Sequence, residues 1–141
     1  MEKRFNEIIN KVAKTEERKL NNMLDPVFLE ANREEKTSEI IFFMREWEKN
    51  QRGEIHGGSI AAMFDTAMGI TAAAFQGTGS VTTADLQISY IRPLISREYI
   101  FTSEVTSLGK TLIRVRCKAR EKDKEKIVAT ATGTYVPYNS K

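Results

Sequence analysis

The stretch 53–75 constrains this chain more than any other. It opens on a turn, passes the only histidine, His56, and the pair Gly57-Gly58, then becomes almost wholly apolar. A helix apolar on every side belongs in a core. Yet the run carries one carboxylate, Asp65, and a carboxylate is costly to bury without a partner or a chemical task. Ala61, Ala62, Ala67, Ala72, Ala73 and Ala74 add helix propensity and a thin profile that neighbouring backbone approaches closely. The pattern predicts a helix from about Gly57 to Phe75, ended by Gly77-Thr78-Gly79. Such a helix needs cover on more than its sheet side, and a second copy of the chain is the simplest source.

On either side of this helix the periodicity is different. Across residues 2–24, Phe5, Ile8, Ile9, Val12, Leu20, Met23 and Leu24 recur at spacings of three and four, the pattern of an amphipathic helix that packs or caps. Asp25-Pro26 ends it, because the residue before proline leaves helical geometry. Phe28 and Leu29 pin the next segment to the core, and the charged stretch 30–36 reads as a loop or short turn. Residues 37–47, with Ile40, Ile41, Phe42, Phe43, Met44 and Trp47, read as a strand buried on both faces. Four strand-like runs follow the helix, at 81–91, 98–108, 111–120 and 127–136. In the first, Ala84, Leu86, Ile88 and Tyr90 share one face; Thr83, Asp85, Gln87 and Ser89 share the other. In the third, Ile113, Val115, Cys117 and Ala119 alternate with Arg114, Arg116, Lys118 and Arg120. Pro137 and a polar tail close the chain. This order is α+β: one long helix covered by a curved antiparallel sheet, with an N-terminal helix added.

Composition removes several classes. A length of 141 residues suits one domain. A surplus of three positive charges is too small to argue for nucleic acid. The lone cysteine, Cys117, excludes an internal disulfide and fits a reducing compartment. The first residues lack the apolar core of a signal peptide, and no apolar run is expected to reach the roughly 20 residues of a membrane helix. The expectation is a soluble, cytoplasmic protein with no nucleic-acid or membrane partner.

The pattern Asn50-x-x-Gly53-x-x-His56-Gly57-Gly58, with Asp65 seven residues beyond Gly58, resembles the hot-dog-fold acyl-CoA thioesterases, specifically their phenylacetate-type (PaaI-like) branch. The similarity continues through 65–69, 85–93, Gly109-Lys110 and 129–135, and so covers roughly residues 37–137. It implies a hot-dog domain over 37–138 preceded by a helix and lead-in over 1–36, which lie outside the resemblance. It further implies hydrolysis of a small or medium acyl-CoA, with an aromatic acyl group suggested by analogy alone, to a free acid and coenzyme A. Active sites are expected to be paired at a subunit interface, commonly within a homotetramer. No cofactor is implied beyond the coenzyme A of the substrate, and no metal.

The same residues have a physical reading. Gly57 and Gly58 open a helix, where N–H groups lack intrahelical partners and the dipole favours negative charge. Without side chains they admit a substrate carbonyl to those donors, as an oxyanion hole requires. Asp65 lies eight residues further on, about 12 Å along the axis, so one chain's pair does not grip one thioester. A dimer that joins Gly57 of one subunit to Asp65 of the other removes the difficulty. On this reading Asp65 is general base toward water, or nucleophile through an acyl anhydride. Gly57 N–H polarises the thioester carbonyl, Asn50 orients water or carbonyl, and Thr83 hydrogen-bonds beside Asp65. His56, Gly58, Val81, Thr82, Lys110 and Arg116 are candidate substrate contacts; because the resemblance gives the base role to the carboxylate, His56 is expected to organise the turn rather than move protons.

Plainer readings stand beside these. Asp65 is also readable as buried against an arginine or backbone donors, Thr83 as an ordinary strand residue, and Cys117 as inert core. The stripe from Arg114 to Arg120 either meets coenzyme A phosphates or is a solvated strand face. Phe64, Met68 and Phe75 line an acyl pocket or belong to the core. Two other functions remain open: a non-catalytic acyl-CoA sensor and, ranked lower, a hydratase or dehydratase.

Overall fold

In the computed structural model, which describes residues 1–138, the central apolar stretch forms α3, Gly57–Gln76. Gly77 ends it in the left-handed conformation, φ 87°, with its N–H on the Ala73 carbonyl at 3.0 Å. Met63, Phe64, Ala67, Met68, Ala72 and Ala74 are fully buried. At 20 residues α3 is, contrary to the sequence expectation, long and apolar enough to cross a membrane, yet 56% of its most apolar window is buried inside the fold. It is the core helix.

The cover is one six-stranded antiparallel sheet, ordered β1-β2-β4-β5-β6-β3. The strands are β1 Val27–Asn32, β2 Thr37–Phe43, β3 Val81–Tyr90, β4 Glu98–Leu108, β5 Ile113–Glu121 and β6 Ile127–Pro137. Ile113, Val115, Cys117 and Ala119 of β5 face α3 and are buried, whereas Arg114, Arg116 and Lys118 face outward. This is the hot-dog arrangement. The polar tail after Tyr138 lies outside the described residues.

Several local expectations are corrected. The N-terminal helix is two helices, α1 Glu2–Ala13 and α2 Leu20–Leu24. The charged run between them has no apolar face to bury, and Asn22 Nδ2 closes the bend by donating to the Thr15 carbonyl and hydroxyl, each at 2.9 Å. The segment read as a pin and loop is strand β1 through Asn32. It pairs with β2, and its exposed Glu30 and Asn32 disguised it as a loop. Strand β2 stops at Phe43, and Trp47 sits 45% exposed in a one-turn helix at Glu46–Glu48.

α1 is bolted to the core rather than laid on it. Phe5 is fully buried, with ring centroids 4.9 Å from Phe28 and 5.8 Å from Phe75. Arg4 donates to the Ala74 carbonyl at 3.0 Å, near the C-terminus of α3, where a cation suits the helix dipole. Asp25, at φ 53° before Pro26, pairs with both Lys14 and Arg45. Phe5→Ala should therefore cost about 3–5 kcal/mol, read as a lower midpoint in denaturant unfolding. A change under about 1 kcal/mol would show that α1 is a dispensable appendage.

Candidate active site

Asp65 is held by the sheet and not by an arginine. Thr83 Oγ1 donates to Asp65 Oδ1 at 2.8 Å, and Tyr135 Oη donates to the same oxygen at 2.9 Å. The second oxygen, Oδ2, has no protein partner among the described residues. A register shift makes this possible. Thr83 pairs with Tyr135 and Asp85 with Thr134, so Ala84 is the extra residue of a β-bulge. A bulge re-aims the side chains on either side of it. Simple alternation places Thr83 opposite Leu86 and Ile88. With Ala84 inserted, Thr83 joins them on the face toward α3, and Ala84 itself is exposed.

Tyr135 escaped sequence reasoning. It follows Ala129, Ala131 and Gly133 on the buried face of β6, and that inward phase was the available signal. Its ring has room because residue 133 is glycine: a Cβ there would come within 2.7 Å of the ring and 3.1 Å of Met68. Tyr135 is 1% exposed. Burial first, and then the neighbouring Asp65 carboxylate, push its phenol far above the ordinary range. It therefore remains a protonated donor at any working pH.

The glycine turn forms a second cluster. His56 caps α3, its Nδ1 accepting from Gly58 N–H at 2.8 Å, so Gly58 has spent its donor. Gly57 N–H has no partner among the described residues, and the Gly57 carbonyl accepts from Tyr90 Oη at 2.7 Å. Tyr90 is the second residue that sequence reasoning missed. Asn50 is engaged within its own turn: Oδ1 accepts from Arg52 N–H at 2.9 Å and Glu54 N–H at 3.2 Å. Beneath the turn lies Glu48, whose carbonyl accepts from His56 N–H at 2.7 Å and Ser59 Oγ at 3.2 Å.

The other candidates separate from these clusters. Val81 lies beside Gly69 and lines the Asp65 cavity, whereas Thr82 is exposed on β3. Lys110 is exposed on the β4–β5 turn. Arg116 is on the outer face of the sheet, away from Asp65, in a two-pronged ion pair with Glu104 at 2.6 and 2.5 Å. Arg120 likewise pairs with Glu39 at 3.2 Å. Phe64 and Met68 are fully buried core, and Phe75 packs on Phe5. Cys117 is buried too, its thiol pushed up to about 12 by burial.

Comparison with known proteins agrees with this geometry. The sequence profile of the Thioesterase superfamily matches residues 52–128, which include the glycine turn, α3 and the Asp65–Thr83 pair. The chain belongs to that superfamily. The bovine (Bos taurus) acyl-coenzyme A thioesterase THEM4 is 27% identical over 106 residues, 74% of this chain but only 43% of that protein, so the chain spans less than half of that relative. Among solved structures, mouse (Mus musculus) thioesterase superfamily member 2 superposes with a TM-score of 0.80 at 20% identity, covering 96% of both chains. The E. coli PaaI protein of the phenylacetic acid degradation operon gives 0.79 at 16% identity, covering 98% of this chain and 96% of its own.

Glu48 offers a test of how the turn is held. It is 1% exposed, Oε1 accepts from Arg45 N–H at 2.6 Å, and Oε2 has no partner among the described residues. Burial raises its carboxyl above the usual value. The folded state then holds this proton more tightly than the unfolded chain, so stability declines as pH rises from the unfolded value through the folded one. Glu48→Gln lacks that titration. Its stability relative to wild type should climb over that window and level off above it, measured by denaturant unfolding at a series of pH values. A difference that does not vary with pH would contradict the assignment.

Proposed function

We propose that this chain is an acyl-CoA thioesterase whose active site joins Asp65 of one copy to the glycine turn of another. The observation that carries the reading is the Asp65 carboxylate, with one oxygen fixed by Thr83 and Tyr135 and the other left for chemistry. Oδ2 takes a proton from water as that water attacks the thioester carbonyl carbon. The alternative course is direct attack by Oδ2, giving a mixed anhydride that water then opens. In either course negative charge gathers on the former carbonyl oxygen, where a preorganised N–H such as that of Gly57 is of most use. Collapse breaks the carbon–sulfur bond, and coenzyme A leaves as its thiolate.

The sheet itself supports the two-copy arrangement. Among the described residues β3 is an edge strand, bonded only to β6, and a free edge invites pairing with another strand. Thr83, near one end of β3, holds Asp65; Tyr90, at the other end, holds Gly57. Antiparallel pairing of two β3 edges about a two-fold axis sets the Tyr90 end of one copy beside the Thr83 end of the other. That brings an Asp65 and a Gly57 from different chains together. Two such dimers would make the tetramer expected from the resemblance. Acyl-CoA is the substrate in this proposal.

In a thiol-release assay with an acyl-CoA panel, Asp65→Asn should lower kcat by about 10²–10⁴-fold with the oligomer intact by light scattering. Tyr135→Phe should cost less, since Thr83 still holds Oδ1. Wild-type turnover by Asp65→Asn would sink the assignment.

A further inference from the structure

The cavity beside Asp65 is closed partly by the N-terminal hairpin. Ile8 and Val12 of α1 line it together with Ile70 and Ala73 of α3, and Asn21 of α2 is among its polar lining residues. Its volume of about 130 Å³ is close to that of the engineered apolar cavity, about 150 Å³, that takes up benzene. The lining is not purely apolar, however. Asn21 Oδ1 accepts from Thr66 Oγ1 at 2.8 Å, and Thr66 is itself buried. That bond sets the plane of the amide and leaves Nδ2 without a protein partner among the described residues. The backbone beneath is fixed as well, since the Asn21 carbonyl accepts from Asp25 N–H at 3.1 Å. A preorganised amide donor in a small half-closed cavity is at its best when a ligand accepts from it.

We infer that the α1–α2 hairpin is the specificity wall of the acyl subsite. Ile8 and Val12 limit the acyl group to about one ring or its aliphatic equivalent. Asn21 Nδ2 donates to an oxygen at the far end of that group. The inference rests on the thioesterase reading of Asp65, and it concerns residues outside the matched 52–128 segment. Sites built to hydrogen-bond a substrate group discriminate against analogues that lack it, so oxygen-bearing short acyl groups are the favoured class.

The test compares matched acyl-CoA pairs in thiol release, levulinyl against valeryl and para-hydroxybenzoyl against benzoyl, alongside a saturated straight-chain series. Wild type should prefer the oxygen-bearing member by about 10-fold or more in kcat/KM. Asn21→Asp keeps an acceptor for Thr66 but loses the donor, and should bring the ratio near one. Val12→Ala should move the straight-chain optimum to longer chains. Each ratio is taken on one preparation and is blind to the folded fraction; should Asn21→Asp not fold, Asn21→Leu removes the donor without adding charge. A wild-type ratio near one, a ratio unchanged in the Asn21 variant, or an unmoved optimum in Val12→Ala overturns the inference. If wild type hydrolyses none of the panel, the thioesterase reading fails, and calorimetric binding of the same pairs decides the wall. A preference for the oxygen-bearing member that the Asn21 variant loses upholds it; equal affinity or no binding overturns it.

Discussion

The doubly donated oxygen of Asp65 is the interaction on which the rest of the structure depends. An aspartate in an otherwise apolar helix needs partners, and here they are two neutral hydroxyls on adjacent strands, Thr83 and Tyr135. Both reach the same oxygen because Ala84 bulges out of β3 and because residue 133 has no side chain to displace the Tyr135 ring. Neutral donors orient the carboxylate without neutralising it. An arginine at the same place would have made an ion pair with nothing left over.

β3 gives the arrangement its economy. One strand supplies Thr83 to the carboxylate and Tyr90 to the glycine turn, and its outer edge has no strand on it among the described residues. Edge and chemistry lie together on that strand, as the proposed two-copy site requires. The helix is buried by the sheet on one side, by α1 on another, and the two half-sites sit on the strand best placed to pair.

Much of this was legible in the residues. The alanine-rich run with its glycine punctuation specified α3, and the alternation of Val115, Cys117 and Ala119 with basic residues specified the faces of β5. What stayed hidden has physical causes. Alternation assumes unbroken register, so the bulge at Ala84 reversed the expected side of Thr83. Strand β1 exposes Glu30 and Asn32 at the sheet edge, so its second half carries the polar pattern of a loop. The role of Tyr135 depends on a pairing with β3 that is distant in sequence. Arg116 was a reasonable phosphate ligand by pattern, but its charge is met by Glu104 across the strand. The hairpin bend at residues 14–19 interrupts a periodicity that on paper ran through it.

The claim that one site needs two chains is tested most directly by complementation. Asp65→Ala removes the carboxylate, and Gly57→Pro removes the N–H at a helix position that tolerates proline, with His56 before it already extended at φ −60°, ψ 136°. Each variant alone should be inactive in thiol release. Refolded together in equal amounts, they should recover about a quarter of wild-type activity, because half the dimers are hybrids and each hybrid has one intact site of two. No recovery from hybrids shown to form, or full activity in either variant alone, would contradict the shared site.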